Sequence, residues 1–222
     1  RPRSSPRSAR RTLSCACPVF LTNVPGRAAS ILMNTILLQV GGPAAVSTYG
    51  ILMYIDGFIQ PLLYGMCDSL QPAVGFNWGA GDYGRVTAIE KRCFAASAIL
   101  SLVFSAVIFF FPEQAAGLFT QGSDPEVLSM AVPAVTIFSA TYVTRWFSFA
   151  SQSFMSAIEK PLLASIISIT TVLIFPVLLI LIFWPLGLTG LWLNLPGTAL
   201  LSAALSAAIL LKIRGQLRGT DK

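Results

Sequence analysis

The sequence predicts an all-α membrane protein with six transmembrane helices, and three observations carry that expectation. Hydrophobic residues make up 55% of the chain and charged ones 11%, far below the roughly 25% charge of soluble domains. The apolar residues fall in continuous runs of about 20, long enough to cross a hydrocarbon core of about 30 Å as helices, and they lack the alternation of a membrane β-barrel. The basic residues sit in short clusters between those runs, a distribution that fits a multi-pass protein and not a nucleic-acid binder.

In chain order, residues 1–17 are a basic Arg/Ser/Pro-rich segment expected to be disordered or artificial. A charged start before an apolar run could be a signal peptide, but no small-residue cleavage site follows it, so the chain reads as a fragment lacking its N-terminal part. The transmembrane region covers 18–212, with spans at about 18–40, 46–75, 92–111, 129–157, 162–183 and 189–211, and 213–222 forms a cytoplasmic tail. The second span is too long for a bilayer core and must tilt, bend at Pro61 or protrude. Pro25, Pro61, Pro72, Pro133, Pro176 and Pro196 lie inside spans, where membrane helices tolerate them as kinks. Thirteen of the 15 Lys and Arg occupy the terminal segments and the even-numbered connections, and none the odd-numbered ones. That bias places both termini in the cytoplasm, on a multi-pass protein of the plasma or inner membrane.

Little catalytic chemistry is available. Histidine is absent and there are four cysteines: Cys15 and Cys17 form a lone C-x-C, while Cys67 and Cys93 sit in apolar helical contexts and read as buried thiols. No metal site, cofactor or catalytic triad is expected, and the chain is not expected to be an enzyme. Gly79-Ala-Gly81-Asp-Tyr-Gly84 matches the dinucleotide pattern, but a membrane helix precedes it in place of a strand, so it reads as a tight turn. Ser123 or Asp124 reads as an N-cap with Pro125 opening the next helix.

The polar residues inside the spans gather into stripes. At 100° per residue, Asn23, Arg27, Ser30 and Asn34 share one face of the first span. Tyr49, Asp56, Gln60, Tyr64, Asp68 and Gln71 share one face of the second, opposite Ile51, Ile55, Phe58, Ile59, Leu62 and Met66; Thr141, Arg145, Ser148, Gln152 and Ser156 share one face of the fourth. Arg27, Asp56 and Arg145 lie deep in their spans, where each charge costs about 2.5–3.5 kcal/mol. Two readings stand: the charges pair to hold helices together, or the first, second and fourth spans line a wet cavity for substrate or coupling ion. Ser97, Ser101 and Ser105, and Asn194, Thr198, Ser202 and Ser206, recur every fourth residue and read as close-packing scaffold.

Several segments then combine. Tyr49-Gly-Ile followed by Gln71-Pro-Ala-Val-Gly-Phe-Asn-Trp-Gly-Ala-Gly-Asp-Tyr-Gly-Arg85-Val resembles the turn after the second helix of the C-terminal lobe of the multidrug and toxic compound extrusion (MATE) transporters. Asn23-Val-Pro-Gly-Arg27, Ser123-Asp-Pro-Glu-Val127, Ala131-Val-Pro133, Ala157-Ile-Glu-Lys-Pro161 and Gly190-Leu-Trp192 keep the family order. The resemblance implies one six-helix lobe of a two-lobe, twelve-helix transporter, whose partner is the missing N-terminal lobe. It further implies a secondary antiporter that exports amphipathic organic compounds in exchange for H⁺ or Na⁺. The turn residues it carries over are Gln71, Pro72, Gly75, Asn77, Gly79, Gly81 and Arg85. Family members that hold a cation in this lobe use acidic residues on its first and fourth helices, where this chain has Arg27 and Arg145. A sodium site here is therefore disfavoured, and Arg27 or Arg145 is expected to pair with Asp56. The candidate pathway residues are Asn23, Arg27, Asn34, Asp56, Gln60, Tyr64, Asp68, Arg145 and Gln152. The rival readings are a lipid-linked precursor flippase of the same superfamily and a non-transporting structural membrane protein.

Overall fold

The computed structural model describes residues 6–119 and 125–220, with side chains placed over 26–119 and 125–214. Among the described residues every regular element is helical: α1 (Pro6–Asp68), α2 (Leu70–Gly79), α3 (Tyr83–Phe110), α4 (Pro112–Gly117), α5 (Pro125–Ser139), α6 (Thr141–Ala157), α7 (Pro161–Ile169), α8 (Phe175–Phe183) and α9 (Gly187–Thr220). A π-helical turn, Thr170–Ile174, joins α7 to α8, and a 3₁₀ turn, Trp184–Leu186, leads into α9. Three stretches, Gly26–Gly79, Tyr83–Phe110 and Pro161–Arg214, are long and apolar enough to cross a membrane, and α5 with α6 adds a fourth as a pair bent by 47°.

Two of those stretches hold 54 residues each, about 80 Å if straight and more than twice a bilayer core. Both are broken at a glycine. Gly42, at φ 66° and ψ −165°, divides α1 into two limbs, and Gly187 has φ 68° at the start of α9. Ser30 and Tyr49 face one another across a common cavity, whereas an unbroken helix would hold them about 28 Å apart. The limbs of α1 therefore double back. The two breaks also meet: a Cβ on Gly41 would come within 2.6 Å of Leu188 Cδ2. At the opposite end the Arg214 guanidinium donates to Glu90 at 2.6 Å, and Gly75 of α2 lies 3.6 Å from the Ala157 carbonyl of α6, counted from where its Cβ would be.

The boundaries differ from the sequence expectation in physically informative ways. Residues 6–17, in the segment expected to be disordered or artificial, continue the first helix, and residues 213–220 extend α9. Ala, Arg and Ser tolerate helix, and an adjoining helix supplies the nucleus that a short segment lacks. The second limb of α1 keeps helical backbone through Pro61 and ends at Asp68. Helix α3 starts at Tyr83, nine residues before the apolar run, because the Asp82 carboxylate caps it by accepting from Arg85 N–H at 3.0 Å. Helix α5 starts at Pro125, while Ser123 and Asp124 lie outside the described residues.

The bend between α5 and α6 shows how the helices lock. Val143 N–H turns to the Ala140 carbonyl at 3.2 Å in place of the carbonyl four residues back, which leaves Ser139 O without its helical donor. Ser105 Oγ of α3 supplies one at 2.8 Å, and Ser101 Oγ donates to Tyr142 O at 2.6 Å. Polar serines thus pack α3 against the kink. Phe110, Leu162 and Phe76 are 72%, 79% and 77% exposed, an outward apolar surface that suits lipid rather than water.

Candidate functional site

A cavity of about 250 Å³ opens between both limbs of α1, α6, the π turn with α8, and α9. The polar stripe of the second limb points into it. Tyr49, Asp56, Gln60 and Tyr64 line the cavity, while Ile51, Ile55 and Ile59 are buried in the core and Phe58 and Leu62 lie on the outside. From α6 come Thr141, Arg145, Ser148 and Phe149.

At its centre is an ion pair. Arg145 Nη1 donates to Asp56 Oδ1 at 2.7 Å, and the side chains are 18% and 10% exposed. The Tyr142 hydroxyl donates to the same oxygen at 2.8 Å, so among the described residues Oδ1 is saturated while Oδ2 accepts nothing. The guanidinium lies 5.4 Å from the centre of the Phe149 ring, and Tyr64 stacks on that ring at 4.0 Å. A cation over an aromatic face, desolvated, gains on the order of 2 kcal/mol. The aromatic pair and the carboxylate flank the Arg145 guanidinium, and the two charges compensate each other.

The opposite wall comes from α9. Asn194 Nδ2 donates to Pro176 O at 2.8 Å, but Thr198 and Ser202, which also line the cavity, have hydroxyls without a partner among the described residues; so do Thr141 and Ser148 across from them. A buried hydroxyl with no partner costs about 1–3 kcal/mol, and four of them belong to residues round this one hollow. Asn194 keeps the packing role that its spacing suggests, tying α9 to α8, and with Thr198 and Ser202 it also belongs to the residues lining the cavity. Thr171 of the π turn joins the same wall. The signal for them was an asparagine and hydroxyls amid an otherwise apolar run, which spacing alone could not separate from packing.

The other sequence-selected residues lie elsewhere. On the first limb the cavity is lined by Gly26, Ala29, Ser30 and Met33, a face turned about 80° from the polar stripe. Arg27 is exposed and Asn34 half-buried, both off the cavity wall, and the Asn23 side chain lies outside the described residues. Asp68 is exposed near the end of α1, accepting from Gln71 Nε2 at 2.8 Å and from Ser153 Oγ at 2.5 Å. Gln152 is half-buried beyond the cavity. The expectation that one arginine pairs with Asp56 resolves to Arg145.

The Gly-rich turn forms an elbow. Pro72 and Gly75 lie in α2, Asn77 Nδ2 donates to Ala73 O at 2.7 Å, and Gly81, at φ 76°, makes the reversal before Asp82 caps α3. Gly79 and Gly84 need no positive φ, and Arg85 is exposed. The elbow is a connector with no phosphate cradle. Among the described residues no group of three or more His, Cys, Asp or Glu could hold a metal ion.

Comparison with known proteins agrees with this architecture. The multidrug export protein MepA of Staphylococcus aureus (strain NCTC 8325 / PS 47) is 25% identical over 176 residues, 78% of this chain and 38% of its own. MepA of Staphylococcus saprophyticus is 24% identical over the same shares. The chain thus spans well under half the length of the curated relatives it matches. An inward-facing conformation of a multidrug resistance MATE family transporter of the MOP superfamily superposes with a TM-score of 0.91 at 19% identity, covering 99% of this chain and 51% of that one. A MOP superfamily transporter from Pyrococcus furiosus, whose binding pocket is described as of reverse polarity, superposes with a TM-score of 0.82 at 19% identity over 99% and 49%. The family model described as MatE matches residues 18–182, and the chain belongs to the MatE family of membrane transporters.

Proposed function

We propose that this chain is the C-terminal six-helix lobe of a two-lobe secondary antiporter, which exports amphipathic organic compounds in exchange for H⁺ or Na⁺ by alternating access. Each 54-residue stretch crosses twice, α3 once and the bent α5–α6 pair once, giving six crossings with both termini in the cytoplasm of the cell membrane. The observation that carries the reading is the Arg145–Asp56 pair, held at 2.7 Å inside a cavity shared by both limbs of α1, α6, α8 and α9. A buried pair adds little net stability compared with an apolar filling of the same volume. Its value lies in being broken and remade: an incoming cation or proton competes for Asp56, an anionic or hydrogen-bonding group for Arg145, and either weakens the tie between the second limb and α6. Arg27 and Asn34 sit beside the cavity on the uncovered side of the first limb, where a second lobe would close over them.

A lipid-linked precursor flippase would require surplus positive charge for phosphate. Arg145 is already matched by Asp56, and Arg27 does not line the cavity, so the drug exporter is the better fit. The test is ethidium accumulation in cells producing the two-lobe protein that contains this lobe. Asp56→Asn is expected to abolish export, and the exchange Asp56→Arg with Arg145→Asp to restore part of it. Export unchanged by Asp56→Asn at equal protein level sinks the reading. The isolated lobe is expected to export nothing.

A further inference from the structure

Beyond the cavity, at the lower end of α1, two thiols converge on one hydroxyl. Cys67 Sγ lies 3.3 Å and Cys93 Sγ 3.9 Å from Ser97 Oγ, and Cys93 Sγ lies 3.9 Å from the Met66 carbonyl. Those distances keep the sulfurs within about 7 Å of one another whatever the angle. Cys67 is fully buried and Cys93 half-buried, so one thiol is open to attack and the second stands directly behind it. None of the three residues lines the polar cavity.

The surroundings select the ligand. With no third His, Cys, Asp or Glu among the described residues, the pair cannot complete the four-coordinate shell of zinc. Two soft sulfurs suit a soft centre that two thiolates satisfy. A linear mercury or copper(I) bridge needs its sulfurs on opposite sides of the metal, whereas these two converge on one hydroxyl, an arrangement that suits the acute S–As–S angle of a pyramidal trivalent arsenic.

We propose that Cys67 and Cys93 form a dithiol trap for trivalent arsenicals, and that its closure staples the second limb of α1 to α3. With an aryl arsenoxide, two S–As bonds form and the arsenic–oxygen bond is lost; the oxygen leaves as one water carrying both thiol protons, and arsenic stays trivalent. Cys93 reacts first from its open side, where the aryl group remains. Cys67 then closes the ring in an intramolecular step favoured by its position.

The experiment uses the full chain in lipid nanodiscs with Cys15→Ser and Cys17→Ser, which removes the other dithiol and leaves Cys67 and Cys93 alone. Equimolar phenylarsine oxide should give an intact mass corresponding to one aryl-arsenic bound with loss of one water, and both thiols should become unreactive to maleimide. The adduct should survive excess glutathione and be released by 2,3-dimercaptopropanol. It should become glutathione-labile in Cys67→Ala, in Cys93→Ala and in the same protein unfolded in dodecyl sulfate, where the folded geometry is lost. Ser97→Ala keeps both thiols and should still trap. Loss of only one reactive thiol, an adduct that glutathione removes from the folded protein, or equal retention in the unfolded chain overturns the proposal.

Discussion

Helices α3 and α9 carry the same pattern, a small polar residue at every fourth position, and use it differently. On α3, Ser97 meets two thiols, while Ser101 and Ser105 donate to carbonyls at the α5–α6 kink. On α9, Asn194 reaches Pro176 O, but Thr198, Ser202 and Ser206 have no hydrogen-bond partner among the described residues, and the first two face the cavity. Ser101 and Ser105 of α3 faced the bend, where the Ser139 carbonyl had lost its helical donor. On α9, Thr198 and Ser202 border a hollow, and Ser206 does not. Identical spacing thus meets acceptors all along one helix and at Asn194 alone on the other, and the partner across the gap decides which.

The contrast can be broken by turning a satisfied group into an unsatisfied one. Asp56→Ala leaves Arg145 buried without its counter-charge and should lower stability by about 3–5 kcal/mol, measured as the thermal unfolding of the chain in detergent. Adding Arg145→Leu should recover most of that loss, because the two sites act as one unit. Ser105→Ala strips the Ser139 carbonyl of its donor and should cost about 1–3 kcal/mol in the same assay. At the elbow, Asp82→Ala removes the cap of α3 and should cost about 1 kcal/mol. Ser202→Ala should lie within about 0.5 kcal/mol of the parent or slightly above it, since it deletes a hydroxyl that had no partner. If Ser202→Ala destabilises as much as Ser105→Ala, the distinction between the two helices collapses.

The helical class was legible from apolar run length, and the cavity face of the second limb from periodicity: Tyr49, Asp56, Gln60 and Tyr64 share one side of any helix and all four line the chamber. Arg145 was legible because a deep charge needs an opposite one. The first limb was legible only at Ser30, since a wheel tells which residues share a face but not where that face points; the stripe it shares with Asn34 and Arg27 is centred about 80° from the hollow. Thr171 escaped for another reason. The π turn at Thr170–Ile174 inserts extra backbone into the fifth span, and a wheel drawn at 100° per residue loses phase there. The elbow showed which glycine mattered only in three dimensions, where Gly81 alone of its three has positive φ.

The contact of Gly41 with Leu188 gives the lobe a pivot at one rim. Gly26, at the far reach of the first limb, lies about 22 Å down the helix from it, so a swing of about 10° about that rim would carry it about 4 Å. Its built Cβ would stand only 3.1 Å from Val172 Cγ1, on the widened turn of the neighbouring helix. The long lever therefore bears on the π turn between α7 and α8, and whatever rocks the limb would press first on the wall that holds Thr171.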